Sequence, residues 1–125
     1  TAYINNYIQK VKKSTIVVNV SNDSWFGESN GPHQHFQIVR SRAKEINRWI
    51  LRSTTSGISG IIDNKGTIVD KIEINKQGII SHVVPHIKNN SIFVNFGYEL
   101  MRYLIICCTF FIIILFLRKV INENS

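Results

Sequence analysis

The sequence has few residues of the kinds that cross-link a small protein or bind a metal ion. It contains 2 Cys in 125 residues, and these two, Cys107 and Cys108, are adjacent within an apolar run. Neighbouring cysteines rarely form a disulfide, and the chain has no C-x-x-C or Cys/His ligand spacing. A thiol in apolar surroundings keeps its proton and is a poor nucleophile. We therefore predict no disulfide framework, no metal site and no cofactor, and we interpret both cysteines as packing residues.

Acidic residues are also scarce. The chain has 8 Asp and Glu against 15 Lys and Arg, which gives a net charge of +7. Such a balance is compatible with a nucleic acid or an anionic membrane as partner. The basic residues are scattered, however, and the one tight cluster is Lys10, Lys12 and Lys13. We predict no nucleic-acid partner.

The most informative stretch is an apolar run, Ile16–Val20, followed by S-N-D-S-W-F-G at residues 21–27. An apolar run of this length is typical of a strand that is buried on both faces. In layered α/β folds, functional side chains collect where such strands end. Ser, Asn and Asp also favour turns by bonding to nearby backbone. Two interpretations stay open here, a substrate-facing cleft and a capped turn.

The remaining pattern predicts an α/β fold, in which a helix at residues 1–11 precedes the strand at Ile16–Val20. Gly31-Pro32 opens a second helix that runs to about Asn47, because Pro suits the first helical turn. Further apolar and β-branched runs predict strands, a hairpin around the turn formers at 63–66, and a loop over 86–96. The predicted strands are Trp49–Leu51, Gly57–Ile62, Thr67–Ile72 and Ile79–Val84.

The C-terminal stretch Tyr103–Leu117 carries no charge. Extended to residues 100–121, it is long enough to cross the ~30 Å hydrocarbon core of a bilayer as a helix. Arg102, Arg118 and Lys119 lie near its ends, where long cationic side chains reach the membrane interface. The pattern predicts one transmembrane helix. Arg118 and Lys119 after the span predict a cytoplasmic C-terminus by the positive-inside rule, although Arg102 weakens the asymmetry.

Several words in this sequence, in the same order and spacing, resemble the C-terminal part of the apolipoprotein N-acyltransferases, a family of membrane-bound enzymes in the nitrilase superfamily. The likeness is strong from Ile16 to about Asp70 and looser beyond it. The words that carry it are S-N-D-S-W-F-G (21–27), G-P-H-Q-H-F-Q (31–37), R-S-R-A-K-E-I-N-R (40–48) and L-R-S-T (51–54).

This resemblance implies part of a nitrilase-like αββα fold over residues 1–85, a linker at 86–99, the transmembrane helix at 100–121 and a cytoplasmic tail at 122–125. It implies a phospholipid as acyl donor, an apolipoprotein as acceptor, and contact with membrane lipid. The expected location is the bacterial inner membrane, with the folded part in the periplasm.

The resemblance also implies candidate substrate-binding residues, which are Asn22, Asp23, Trp25, Phe26, Gly27, His35 and Arg52. Trp25 and Phe26 offer apolar surface suited to lipid, although core packing explains either ring equally well. His35 matches the family's Q-H pair and either lines the cleft or has a structural role. Arg52, expected after a strand end, either pairs with a carboxylate or phosphate of a substrate or forms an internal ion pair with Asp23 or another acid. Thr55 stands where the family has Asn, which puts an amide-dependent contact at that position in doubt.

In the family, a Cys nucleophile, a Glu base and a Lys that stabilises the oxyanion perform the acyl transfer. By the resemblance, all three precede Thr1. We therefore expect these residues to be a piece of a longer acyltransferase, inactive by itself. Two alternatives stay open, another membrane-anchored nitrilase relative that hydrolyses a C–N bond, and a decayed, non-catalytic membrane-anchored module.

Overall fold

The computed structural model of the chain describes residues 2–87, 89–97 and 99–123. Thr1 of the first predicted helix and residues 124–125 of the predicted tail lie outside them. In order, the elements are α1 (Ala2–Lys12), β1 (Ile16–Asn22), a 3-10 turn (Ser24–Phe26), α2 (Gly31–Ile46), β2 (Trp49–Thr55), β3 (Ser59–Ile62), β4 (Ile68–Ile72), α3 (Ile92–Phe96) and α4 (Glu99–Glu123).

The four strands form one mixed sheet in the order β1-β2-β3-β4. β1 and β2 are parallel, and their register pairs Asn19 with Arg52 and Asn22 with Thr55. β2, β3 and β4 are antiparallel neighbours. A helical crossover, α2, joins the parallel pair, as parallel strands require. The predicted α/β class is confirmed, with helices on a mixed sheet and a single long apolar helix at the C-terminus.

Helix α2 shows how local sequence sets the element boundaries. Pro32 lies in its first turn and is buried. Apolar side chains at helical spacing from Phe36 to Ile46 face the sheet and are buried. Asn47 ends the helix in the left-handed conformation, at φ 52° and ψ 49°, and its N–H bonds the carbonyls of Ala43 and Lys44. Asn is one of the few residues that enter this conformation at low cost.

The predicted hairpin is confirmed as β3–β4. Its turn is held by Asp63, whose carboxylate accepts from the backbone N–H of Lys65 at 2.9 Å and of Thr67 at 2.7 Å. Gly66 follows with φ +77°, a conformation that glycine adopts without steric cost. The turn residues Asp63–Gly66 are therefore the physical reason for the hairpin, as the sequence indicated.

The core lies on one face of the sheet. It is built by apolar side chains of α1, α2, β2, β3 and α3 and of the residue that precedes β3, namely Ile8, Val11, Phe36, Val39, Ala43, Ile46, Ile50, Ile58, Ile62 and Val94. On the other face, Val18 and Val20 of β1 are 63% and 77% exposed. The prediction that β1 is buried on both faces is therefore wrong for the described chain, because the helices cover only one face.

Two further predictions from the pattern are wrong. Residues 79–84 form no strand among the described elements. This segment instead passes over the outer face of the sheet, where His82 stacks on buried Trp49 with ring centroids 5.4 Å apart. The predicted loop at 86–96 contains α3, which Ser91 caps by accepting a hydrogen bond from the N–H of Val94 at 3.1 Å. A serine cap and the burial of Val94 stabilise a helix too short to form alone.

A buried arginine, Arg48, ties this C-terminal segment to the core. Its Nε donates to the carbonyl of Ser14 at 2.8 Å, and its Nη1 to those of Asn47 and Asn89 at 2.9 and 2.8 Å. Its Nη2 donates to the side chain of Asn90 at 2.5 Å. Burial lowers the pKa of the Arg48 guanidinium below its usual value. Carbonyl-type oxygens, rather than a carboxylate, therefore satisfy this buried charge.

Helix α4 is the candidate membrane span. Residues Glu99–Lys119 are long and apolar enough to cross a bilayer, and none of this stretch is buried against the rest of the described chain. Twenty-one helical residues extend ~32 Å, which matches the hydrocarbon thickness. This helix indicates a membrane-associated protein. The orientation across the membrane stays a prediction.

We expect Arg48→Met to lower the free energy of unfolding by about 2–4 kcal/mol, because the Met side chain fills similar space but leaves buried carbonyls without donors. Chemical denaturation of the full chain in detergent measures this loss. The control is Arg42→Met, whose guanidinium bonds Glu45 on the exposed side of α2 and which should change stability by less than about 0.5 kcal/mol. Equal effects of the two substitutions would contradict the role given to Arg48.

Candidate functional site

The candidate site lies where β1 ends beside β2. The parallel ladder continues one residue past β1, since the N–H of Asp23 donates to the carbonyl of Thr55 at 3.0 Å. The chain then turns sharply through the 3-10 turn Ser24–Phe26 and enters α2 at Gly31. The loop 23–30, which we call the β1–α2 loop, therefore starts from a rigid sheet edge and ends on a rigid helix.

A buried ion pair lies beneath the start of this loop. The carboxylate of Asp23 accepts from Nη2 of Arg52 through Oδ2 at 2.7 Å, and both side chains are fully buried. Arg52 also donates from Nε to the carbonyl of Ile58 at 3.1 Å and from Nη1 to the side chain of Asn19. Of the two interpretations of Arg52, the internal ion pair with Asp23 is the one the structure contains. Arg52 lies in the middle of β2 rather than after its end.

The second oxygen of Asp23 is also bonded. Its Oδ1 accepts from Oγ of Ser21 at 2.8 Å and lies 2.9 Å from Nδ1 of His35 on α2. Arg52 Nη2 lies 3.2 Å from the same ring nitrogen. An ionised carboxylate can only accept and a guanidinium can only donate, so we assign the proton on Nδ1 of His35 to the bond with Asp23. The side chain of His35 is 32% exposed and is therefore partly open to a ligand.

Burial by itself raises the pKa of Asp23, but the hydrogen bonds from Ser21 and His35 and the charge of Arg52 outweigh it and hold the pKa below its usual value. Asp23 is therefore an anion at neutral pH. A charged carboxylate that accepts from three donors is a stable structural element rather than a proton donor or acceptor for a reaction.

Two glycines make room for this arrangement. A Cβ on Gly57 would lie 2.4 Å from Oδ2 of Asp23, and a Cβ on Gly31 would lie 2.1 Å from the ring of Phe26. Contacts this short do not occur between real atoms. Any side chain at Gly57 would displace the carboxylate, and any at Gly31 would displace the ring.

The exposed part of the site is aromatic. Trp25 is 77% exposed, and its ring stacks on that of Phe26 with centroids 4.5 Å apart and planes 30° apart. The ring of Phe26 in turn lies 6.0 Å from that of His35. The indole N–H of Trp25 donates to the carbonyl of Asn22 at 2.7 Å, which fixes the ring against the loop. The pair therefore forms a small apolar surface of fixed orientation.

Asn22 and Gly27 complete the turn. The side chain of Asn22 accepts from the N–H of Ser24 at 3.1 Å, as in an Asx turn. Gly27 ends the 3-10 turn with φ +57°. The capped-turn interpretation of residues 21–24 is thus correct for Asn22, while Asp23 has become the buried anchor. Within the described ranges, no group of three or more His, Cys, Asp or Glu is placed to hold a metal ion.

The structure joins six of the seven candidate residues in one contact network. The seventh, Gly27, lies next to this network at the end of the 3-10 turn. Asn22, Trp25 and Gly27 are exposed, and Phe26 and His35 are partly exposed, so these residues can reach a ligand here. Asp23 and Arg52 act beneath the surface. Sequence reasoning missed Asn19 and Gly57, which complete the network together with Ser21 at the strand end. Asn19 carried a usable signal, since it is a polar residue inside the apolar run Ile16–Val20.

Comparison with known proteins shows which family and which individual proteins this chain is similar to. The family of carbon-nitrogen hydrolases matches residues 3–86. An apolipoprotein N-acyltransferase of Rickettsia bellii is 38% identical over 111 residues, which are 88% of this chain and 22% of that protein. One from Nitrosomonas europaea is 36% identical over 98 residues, 78% of this chain and 20% of that protein. One from Pseudomonas aeruginosa is 46% identical over 74 residues, 58% of this chain and 14% of that protein. The chain therefore spans about a fifth of the length of such relatives.

We expect the stability of the full chain to depend on pH through Asp23. The pKa of Asp23 is lower in the folded chain than in the unfolded chain. Its contribution to the free energy of unfolding is therefore fully present above the unfolded pKa of ~3.9, and it is lost as pH falls through the lowered folded pKa. Asp23→Asn should lower stability at neutral pH and flatten the loss of stability below about pH 5. Thermal unfolding in detergent between neutral and acid pH measures both effects.

Glu28→Gln provides the control, because Glu28 is an exposed carboxylate in the same loop. This variant should keep the acid slope of the unsubstituted chain. An Asp23→Asn variant with an unchanged slope would show that the ion pair does not stabilise the fold.

Proposed function

This chain belongs to the carbon-nitrogen hydrolase family, and from that premise we propose that it is part of a membrane-bound acyltransferase. The proposed reaction transfers an acyl chain from a phospholipid to the α-amino group of the lipidated N-terminal cysteine of an apolipoprotein. The names of the similar proteins support this reaction. The apolar helix α4 supports it too, because both proposed substrates are held in a membrane.

The chemistry divides into two acyl transfers. A thiolate attacks the ester carbonyl of the phospholipid, and the lysophospholipid alkoxide leaves with a proton from a general acid. The amine of the acceptor then attacks the thioester and gives its proton to the same group, which is now a base. The C–S bond breaks, and the thiolate is regenerated. By resemblance, the nucleophile, the base and the oxyanion-stabilising Lys lie outside these 125 residues. Cys107 and Cys108 lie in α4, within the candidate membrane span.

We assign the β1–α2 loop, with its aromatic pair Trp25–Phe26, a role in the substrate pocket of this acyltransferase. The observation that carries this assignment is the stacked pair Trp25–Phe26, an exposed apolar surface held in place by a buried ion pair. Exposed apolar patches mark contact sites for ligands, lipid or protein, and ligand sites are lined mainly by apolar and aromatic side chains. Their surface suits an acyl chain, and the partly exposed ring of His35 lies beside them for the polar part of a substrate.

We expect a chimera to test this role. In it, the chain replaces the matching segment of the Rickettsia bellii relative, and the protein is assayed with a diacylated lipopeptide and a phospholipid donor. Mass spectrometry follows the third acyl chain. The chimera should be active, and Trp25→Ala with Phe26→Ala should lower kcat/KM by about tenfold or more, a loss of about 1.4 kcal/mol of binding. The loss should appear mainly in KM for the donor, since the rings contact the substrate and not the reacting atoms.

Ile38→Ala is the matched control, because Ile38 is an exposed apolar residue of α2 outside the β1–α2 loop. It should leave kcat/KM nearly unchanged. A chimera that inserts and folds but transfers no acyl chain would contradict the proposed reaction, and release of ammonia from amide substrates would favour a C–N hydrolase. An acyl adduct on Cys107 or Cys108 of the 125-residue chain alone would contradict the assignment of the nucleophile elsewhere.

A further inference from the structure

The short helix α3 has one buried side and one exposed apolar side. Val94 is fully buried in the core, and Phe93 packs against the same cluster. Ile92 and Phe96, four residues apart and therefore on one helical face, are 68% and 57% exposed. Two large apolar side chains therefore lie together on the exposed side of α3, and contiguous apolar patches of this kind mark membrane or protein contact sites.

The orientation of this exposed side is fixed by polar contacts on the opposite side. The hydroxyl of Ser91 donates to the carbonyl of Glu45 at 2.5 Å. The side-chain amide of Asn47 donates to the carbonyl of Asn89 at 3.0 Å, and Arg48 bonds the same carbonyl. These bonds attach the start of α3 to the end of α2. The outward direction of Ile92 and Phe96 is therefore a property of the fold and not of a frayed end.

The exposed side continues into the membrane helix. α4 begins at Glu99, three residues after α3 ends. Leu100 and Met101 in its first turn are exposed, and Leu100, Met101 and Leu104 line an open groove of about 450 Å³ together with residues of α3. The lining is apolar apart from Glu45. One continuous apolar surface thus runs from α3 to α4.

The start of α4 also has the residues that mark a bilayer interface. Glu99 and Arg102 form an ion pair one turn apart. The guanidinium of Arg102 lies 5.9 Å from the ring centre of Tyr103. Cationic and tyrosine side chains favour the level of the lipid headgroups, and no charged residue follows until Arg118. The boundary between water and hydrocarbon therefore passes close to the first turn of α4, beside α3.

From this continuity we propose that Ile92, Phe96, Leu100 and Met101 form a lipid-binding surface, which we call the interfacial patch. On it, α3 lies in the headgroup region of the bilayer that α4 enters. Short apolar helix faces bind bilayers by burying ~5–10 Å into this region. The patch seats the folded part on the membrane surface and fixes its distance from the lipid. The proposal requires only that α4 enters a membrane, and it is independent of the acyltransferase reaction.

Spin labelling of the full chain in phospholipid nanodiscs tests this proposal. Cys107→Ser and Cys108→Ser remove the native thiols, and single cysteines are then introduced as Ile92→Cys, Phe96→Cys and Ile79→Cys. All three positions are apolar and exposed, and Ile79, at 98% exposure, lies outside the patch. Each label is exposed to oxygen, which concentrates in hydrocarbon, and to a nickel chelate, which stays in water.

The ratio of oxygen to nickel collisions should be about fivefold or more higher at positions 92 and 96 than at 79, because burial in the bilayer removes these side chains from water. Similar ratios at all three positions would overturn the proposal. Protection from both reagents would show that protein covers the patch, and spin–spin broadening that disappears on dilution with unlabelled chain would identify a second copy. Either result also overturns it. Circular dichroism checks that each variant keeps its helix content.

Discussion

The ion pair between Asp23 and Arg52 is the interaction on which the candidate site depends. It joins the end of β1 to the middle of β2, and His35 adds α2 to the same contact. Two buried charges cost free energy that their attraction repays only when every other donor and acceptor is bonded. Here the carboxylate also accepts from Ser21, and the guanidinium also donates to Asn19 and Ile58. The pair therefore fixes where the β1–α2 loop leaves the sheet.

The fold contains a second buried arginine with a comparable task. Among the described residues, Arg48 has no carboxylate partner and bonds carbonyl-type oxygens of the segments around Ser14, Asn47 and Asn89. It holds the segment that leads into α3 and α4. One arginine thus positions the exposed aromatic pair Trp25–Phe26, and the other positions the part of the chain that meets the membrane. In both cases the guanidinium is buried, whereas the apolar side chains for which we propose a partner lie at the surface.

Much of this arrangement could be predicted from local sequence. The turn formers at 63–66 predicted the hairpin. Pro32 and the apolar spacing up to about Asn47 predicted the two ends of α2, and the uncharged stretch after Arg102 predicted α4. An internal ion pair was one of the two interpretations of Arg52, but choosing between them needed the strand register, since Asp23 and Arg52 lie far apart in sequence.

The apolar run Ile16–Val20 predicts a strand equally well whether one or two faces are covered, and only the packing shows that Val18 and Val20 are exposed. Residues 79–84 have strand propensity, but in the described part of the chain they pair with no strand of the sheet. The helix α3 depends on burial of Val94, which short-range patterns do not contain, although Ser91 was a recognisable cap.

A double-mutant cycle on Asp23 and Arg52 tests the central claim most directly. Asp23→Asn, Arg52→Met and the double variant are made in the full chain, and the free energy of unfolding of each is measured in detergent. If the pair holds this corner of the fold together, each single variant should be strongly destabilised, because each leaves one buried group without its partner. The double variant should lose less than the sum of the two, with a coupling energy of about 2–3 kcal/mol. Additive losses, with a coupling energy near zero, would show that the two charges do not stabilise each other and would contradict the account.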